Sequence, residues 1–152
     1  MRIGLSYDLK TAITGQYTVD DALEEYDSQE TVEIITAAFE SRGYDIIKLG
    51  GGEQFLDNVR REKVDIVFNI AEGRGGYRSR EAQVPSVLEM LDIPYTGSDP
   101  QCLAVCLDKH VTKKLAATEG IITPKWLVID GDEDFYKISR EELPFPVIIK
   151  PA

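Results

Sequence analysis

Residues Val64 to Asp99 read VDIVFNIAEGRGGYRSREAQVPSVLEMLDIPYTGSD, and this stretch decides the fold. VDIVFNI is short, apolar and rich in β-branched residues, the pattern of a buried strand. It runs into Glu72-Gly73-Arg74-Gly75-Gly76, whose glycines mark a loop. Val84, Val87, Leu88 and Leu91 then recur at intervals of three and four, a helical period. Ile93-Pro94-Tyr95-Thr96-Gly97-Ser98 predicts a second short strand ending in a turn. Strand, glycine loop, helix and strand make a βαβ unit. Open sheets of such units carry ligands at the loops beyond the carboxyl ends of their strands. The Glu72–Ser79 loop and the Thr96–Asp99 turn are therefore expected on one rim of a sheet.

The flanking sequence extends this pattern. Arg2 to Tyr7 predicts a first strand ending at Asp8. No G-x-G-x-x-G follows it, so the dinucleotide-binding fingerprint is absent. Leu9 to Tyr26 is long, polar and acidic, with a helical turn expected around Val19–Glu25. Asp27 and Glu30 read as a capping box, opening a helix with Val32, Ile35, Ala38 and Phe39 on one face and Gly43 at its end. Tyr44 to Leu49 predicts the second strand. Gly50-Gly51-Gly52 then turns into a helix with Phe55, Leu56 and Val59 inward. Pro85 is expected in the first turn of its helix, the position that tolerates a missing N–H. Asp99-Pro100 and Asp108 read as helix starts, with Leu103, Cys106 and Leu107 and then Val111 and Leu115 as apolar faces. Trp126–Ile129 and Phe145–Lys150 are expected strands, with one helical turn near Ser139 between them.

The fold class that follows is α/β: an open parallel sheet with helices on both faces. The core domain is expected over Met1–Ile121, with residues 122–152 beginning a second domain that they do not complete.

Composition narrows the function. The chain has 152 residues and a formal net charge of −10, which argues against a general nucleic-acid binder. No apolar run approaches the roughly 20 residues of a membrane span. Met1-Arg2-Ile3-Gly4 leads straight into a strand, so no signal peptide is expected and a cytoplasmic location is the default. Cys102 and Cys106 do not have zinc spacing and are expected as small core or semi-buried residues. His110 is the one histidine and receives no catalytic role; no metal site is assigned.

Several motifs in order carry a resemblance. FN-x-x-x-G-R-G-G precedes a helix ending V-L-E-M-L, then D-I-P-Y-T-G-S, then L-D-K with a second lysine shortly after, over about Val64 to Glu119. It resumes at Phe145-Pro146-Val147-Ile148-Ile149-Lys150-Pro151. This set resembles the D-alanine–D-alanine ligases and related ATP-grasp enzymes. The resemblance implies a pre-ATP-grasp domain followed by the first strands of an ATP-grasp domain. It implies ATP and Mg2+ as cofactors, with the metal ligands in a later part of the enzyme. It also implies amino acids or dipeptide-like molecules as substrates, in peptidoglycan biosynthesis. By the same resemblance Lys109 and Lys150 contact the nucleotide, and the Glu72, Arg74, Gly75 and Gly76 loop lies near the amino-acid substrates. The reaction would join a carboxylate to an amine through an acyl phosphate, and these 152 residues alone are expected to be inactive.

From the residues alone, each of these positions has a plainer reading. Lys109 is also a solvated helix lysine. The glycine loop is either a turn needing positive φ or a backbone N–H cradle for an anion. Two departures from the ligase pattern touch the amino-acid site. Glu72 stands where the ligases have a histidine, and the acidic Leu9–Tyr26 segment replaces a glycine-rich loop and an early helix glutamate. Glu25, Asp27 or Glu30 is available for that glutamate's role, or for helix capping. Arg78, Arg80 and Glu81 fall where extra residues enter; they either read a carboxylate or solvate a helix start. Two other classes compete: a non-catalytic binding or regulatory paralogue, and a flavodoxin-like receiver module. The receiver is disfavoured because the third strand ends in Asn69 rather than aspartate. The oligomeric state is open, a homodimer among the options.

Overall fold

The computed structural model describes residues 1–12, 25–138, 143 and 145–150. The turns expected around Val19–Glu25 and near Ser139 lie almost wholly outside these residues. The chain divides into two compact units, Met1–Ala104 and Val105–Ala152.

The first unit is built on three parallel strands, β1 (Arg2–Ser6), β2 (Asp45–Gly50) and β3 (Ile66–Asn69), in the order β2-β1-β3. The expected strand at Ile93–Ser98 reduces to one parallel bridge between Val67 and Tyr95, closed by Val67 N–H to Pro94 O and Thr96 N–H to Val67 O. Pro94 has no N–H to donate, so the ladder cannot extend through it as a regular strand.

Alternation along the strands sends side chains to two separate cores. Leu49, Val67, Phe55, Val59, Ala71, Val84 and Leu88 form one, under α2 (Gly52–Arg61) and α3 (Gln83–Met90). Leu5, Tyr7 and Val32 form the other, joined by Ile46, Phe68 and Ile35, under α1 (Gln29–Glu40). Helices therefore cover both faces. Gly4, in the central strand, leaves room for Leu49; a Cβ there would lie 2.6 Å from its Cδ1. Phe39 meets Phe68 edge-on, ring centroids 5.2 Å apart, and fixes α1 to β3.

The helix ends differ from expectation in instructive ways. α1 is capped by Ser28, whose Oγ accepts from Thr31 N–H at 3.0 Å, not by the Asp27/Glu30 box. Asp27 is unavailable as a cap because its backbone pairs with Asp8 and Lys10. The buried face of α1 uses Thr36 in place of Ala38; its hydroxyl donates to Val32 O at 2.7 Å. Leu56 is half-exposed instead of inward. Pro85 sits in the first turn of α3, behind a 3-10 turn over Arg80–Ala82. Asp99 Oδ1 accepts from Cys102 N–H at 2.8 Å at the start of α4 (Pro100–Leu107). Cys102 and Cys106 are exposed, not packed.

In the second unit α5 (Lys109–Thr118) starts under Asp108, which accepts from Val111 N–H at 3.0 Å. Leu115, expected inward, is about half exposed. Trp126 donates its indole N–H to His110 Nδ1 at 2.7 Å, and the Lys113 ammonium lies 5.2 Å from the Trp126 ring centroid. These contacts hold the 124–126 segment on α5. Trp126–Ile129 and Phe145–Lys150, expected as strands, are not strands among the described residues. An apolar run predicts a strand only if a partner ladder exists, and here Ile148 and Ile149 are exposed.

The two-core arrangement predicts unequal responses within α3. Leu88→Ala, at a fully buried site, is expected to lower unfolding free energy by about 2–5 kcal/mol in urea melts. Leu91→Ala, at the exposed end of the same face, is expected to cost roughly 0.5 kcal/mol or less.

Candidate functional site

The strand order places the topological switch between β1 and β3, and ligand crevices of open α/β sheets form there, beyond the carboxyl ends. The chain leaving β1 reaches Asp8; the chain leaving β3 reaches Asn69 and the glycine loop. The two are stitched together. Ser6 Oγ donates to Asn69 Oδ1 at 2.7 Å, and Ala71 N–H to the same oxygen at 3.2 Å. Asn69 N–H donates to Thr96 Oγ1 at 3.1 Å, which brings the Thr96 turn to this rim as expected.

Asp8 is 3% exposed, and its Oδ2 accepts from Gly73 N–H at 2.9 Å. Its other oxygen occupies space that only a glycine leaves open: a Cβ on Gly51 would lie 1.9 Å from Asp8 Oδ1. Gly73 is equally constrained, with φ of +78° and the Arg80 carbonyl oxygen 2.0 Å from where its Cβ would stand. Gln83 clasps the next residue by both its main-chain groups: its Oε1 accepts from Arg74 N–H at 2.9 Å and its Nε2 donates to Arg74 O at 3.0 Å.

These bonds bear on the anion-cradle reading. The N–H groups of Gly73 and Arg74 are already committed to Asp8 and Gln83, so a cradle is left with those of Gly75 and Gly76. Gly75 and Gly76 are exposed. Beyond its two chain neighbours, no heavy atom of a described residue lies within 4 Å of where a Gly76 Cβ would stand, and its φ is not positive, so sterics alone do not require glycine there. Arg74 lies across Gly52 at the start of α2.

Carboxylates crowd the rim. Arg80 donates to Glu72 O at 3.1 Å, stands 3.8 Å from Glu72 Oε2, and forms an ion pair with Glu25. It engages this chain's own carboxylates and does not offer a spare fork to a ligand. Glu72 is pushed up to about 7, chiefly by burial and then by Glu81, with Glu25 and Asp27 adding and Arg80 opposing. Asp27 is raised by burial and by Asp8. Among the described residues no three His, Cys, Asp or Glu side chains are arranged to hold a metal ion.

The structure thus gathers Glu72, Arg74, Gly75 and Gly76 in one loop beside Glu25, Asp27, Arg80 and Glu81. Lys109, at the first position of α5, and Lys150 both lie in the second unit, and both are exposed. Sequence reasoning gave no site role to Asp8 or Gln83. The signal for Asp8 was its place as the first charge after an apolar strand; Gln83 carried none, since an amide clasp depends on the loop's path.

Comparison with known proteins decides the family context. The chain is 37% identical over 118 residues to D-alanine–D-alanine ligase of Pseudomonas entomophila, covering 78% of this chain and 36% of that one. With the enzyme of Carboxydothermus hydrogenoformans it is 33% identical over 128 residues, 81% and 40% of the two chains. The crystal structure of D-alanine–D-alanine ligase from Bacillus anthracis superposes with a TM-score of 0.54 at 26% identity, covering 84% of this chain and 37% of that one. The chain is a relative of the D-alanine–D-alanine ligases. The Bacillus anthracis ligase complexed with ATP matches with a TM-score of 0.55 at 26% identity, over 90% of this chain and 44% of that one. The chain spans 36% of the length of the Pseudomonas entomophila ligase. No protein-family model matches it. None of its described helices is long and apolar enough to cross a membrane.

The carboxyl of Glu72 gives a pH-dependent signature. Its folded value is raised, so the native state holds more protons than the unfolded chain between about 4.5 and about 7. Stability therefore falls as pH rises through that window. Glu72→Gln is expected to flatten the decline and gain on the order of 1 kcal/mol at pH 8, after discounting for solvent screening; little difference is expected at pH 4. Urea melts of both proteins across pH 4–8 measure it.

Proposed function

We propose that the chain forms part of an ATP-dependent ligase that joins a carboxylate to an amine through an acyl phosphate. The observation that carries this reading is the shared sequence and fold with D-alanine–D-alanine ligases over 78% of the chain. The loop at the switch point supports it, being the part of such a sheet where ligands sit.

The chemistry proceeds in two displacements. A substrate carboxylate oxygen attacks the γ-phosphorus of ATP, and the bond to the bridging oxygen breaks as ADP leaves. The amine nitrogen of the second substrate, having lost a proton, attacks the acyl carbon; the carbon–oxygen bond to phosphate breaks and phosphate departs. Such steps depend on positioning and on cations that offset developing charge. In this proposal Lys109 and Lys150 supply charge to the triphosphate as point cations. Gly75 and Gly76 present main-chain N–H groups to an anionic substrate group, and Arg74 adds charge beside them. Glu72, half-buried and titrating close to neutrality, borders the amino-acid site. The substrates are amino acids or dipeptide-like, and Glu72 with the acidic approach makes D-alanine one candidate among several. Magnesium, where present, neutralises phosphate charge; its ligands are not assigned to the described residues. A role in peptidoglycan biosynthesis and a cytoplasmic location follow from the same reading.

Amino-acid-dependent ADP release by the full-length gene product, with D-alanine and a panel of other amino acids, tests the proposal; no stimulation by any of them refutes it. The 152 residues alone are expected to show only background release. In the full-length product Lys150→Ala and Lys109→Ala are each expected to weaken ATP binding about 10–100-fold by calorimetry, as for loss of a charge-assisted hydrogen bond. Unchanged affinity removes that lysine from the site.

A further inference from the structure

We propose that Arg80 is a positioning residue that locks the glycine loop to the chain entering α1, so that the loop meets substrate as one rigid piece. The proposal rests on the ligase reading for its kinetic consequence, and on geometry for the lock itself.

Three consecutive loop residues are held by side chains from three different places in the sequence. Asp8, beyond β1, takes the N–H of Gly73. Gln83, at the start of α3, takes both the N–H and the carbonyl of Arg74. Arg80 takes the carbonyl of Glu72 and also pairs with the Glu72 carboxylate. Arg80 has a second hold, on Glu25, which precedes the Ser28 cap of α1. Its guanidinium therefore joins two segments 47 positions apart in sequence (25 and 72).

Arg80 is also set in place by its own backbone. The carbonyl of Arg80 packs against Gly73, where no Cβ intervenes. Its side chain is 13% exposed, against 58% for its partner Glu25. A planar fork with several donors at fixed angles can satisfy a carbonyl and two carboxylates at once; an ammonium cannot reproduce that geometry. The charged groups facing Glu72 are Arg80, Glu81, Glu25 and Asp27, so among the described residues Arg80 is the one cation in a set of carboxylates. Removing it frees the loop mechanically and leaves the acids to repel one another. The consequence falls on substrate capture: the loop still contains its glycines but no longer holds them in register.

The test uses Arg80→Gln, Arg80→Lys and Glu25→Gln in the full-length gene product. The first readout is amide hydrogen exchange. Arg80→Gln is expected to lower protection at Gly73 and Arg74 tenfold or more and leave Leu5 and Val67 in the sheet unchanged. The second is kinetic: KM for the amino-acid substrate is expected to rise tenfold or more with kcat within about threefold and the ATP KM unchanged. Arg80→Lys keeps the charge but not the fork, and is expected to recover less than half of the loss. Glu25→Gln, which cuts only the second hold, is expected to raise the same KM about threefold. If the wild-type protein shows no turnover with any amino acid, the ligase reading falls and the exchange result alone decides the lock. Unchanged protection at Gly73 and Arg74 in Arg80→Gln overturns it. So does an unchanged substrate KM in an active enzyme, or a loss of Leu5 and Val67 protection in all three variants, which would make Arg80 a general fold residue.

Discussion

A buried carboxylate joins the two halves of the rim. Asp8 is taken from water at the end of the central strand, a costly place for a charge unless it is hydrogen-bonded. The loop beyond β3 provides that bond through the N–H of Gly73. The neighbour that would obstruct it is a glycine, Gly51, while Gly73 lacks a Cβ where the Arg80 carbonyl packs. The β2–α2 turn and the glycine loop are therefore shaped around one side chain, and the sheet order puts all three at the same edge.

The electrostatics of the rim follow from that crowding. Glu25, Asp27 and Glu81 each act on Glu72, with Arg80 as the cation facing it. Burial comes first in raising Glu72, and because it weakens screening, the charges of Glu81, Glu25 and Asp27 raise it further. Arg80 opposes the rise only in part, because it pairs with Glu25 as well as Glu72. The second unit is organised differently, by an aromatic–imidazole hydrogen bond and a lysine over an indole face.

Much of the fold was legible because the strands are short apolar runs and the helices keep clear periods. Val32, Phe55, Val59, Val84 and Leu88 fall inside as their spacing predicts. Errors gathered where a local pattern had two outlets. Ser28 displaced Asp27 as a cap because the Asp27 backbone was needed for pairing, a tertiary demand invisible to a four-residue motif. Ile93–Ser98 has strand composition, yet Pro94 limits it to one bridge. Of the site, the glycine loop could be read directly, since Gly and Arg at that spacing demand a turn. Its anchors could not. Asp8 and Gln83 act across 65 and 9 positions of sequence, and only the path of the chain reveals what they hold.

Gly76 differs from its neighbours in the loop. Gly73 is fixed by a carbonyl and Gly75 by its backbone angle, but nothing described crowds Gly76 and its angle is ordinary. The crest of the loop is therefore bare peptide, anchored from below and unencumbered above. Sequence drift at the crest, at 76 or the exposed Tyr77, meets little resistance from the scaffold, whereas drift at 73, 80 or 83 disturbs three elements together. Such a division lets evolution retune what the rim admits without rebuilding the platform beneath it.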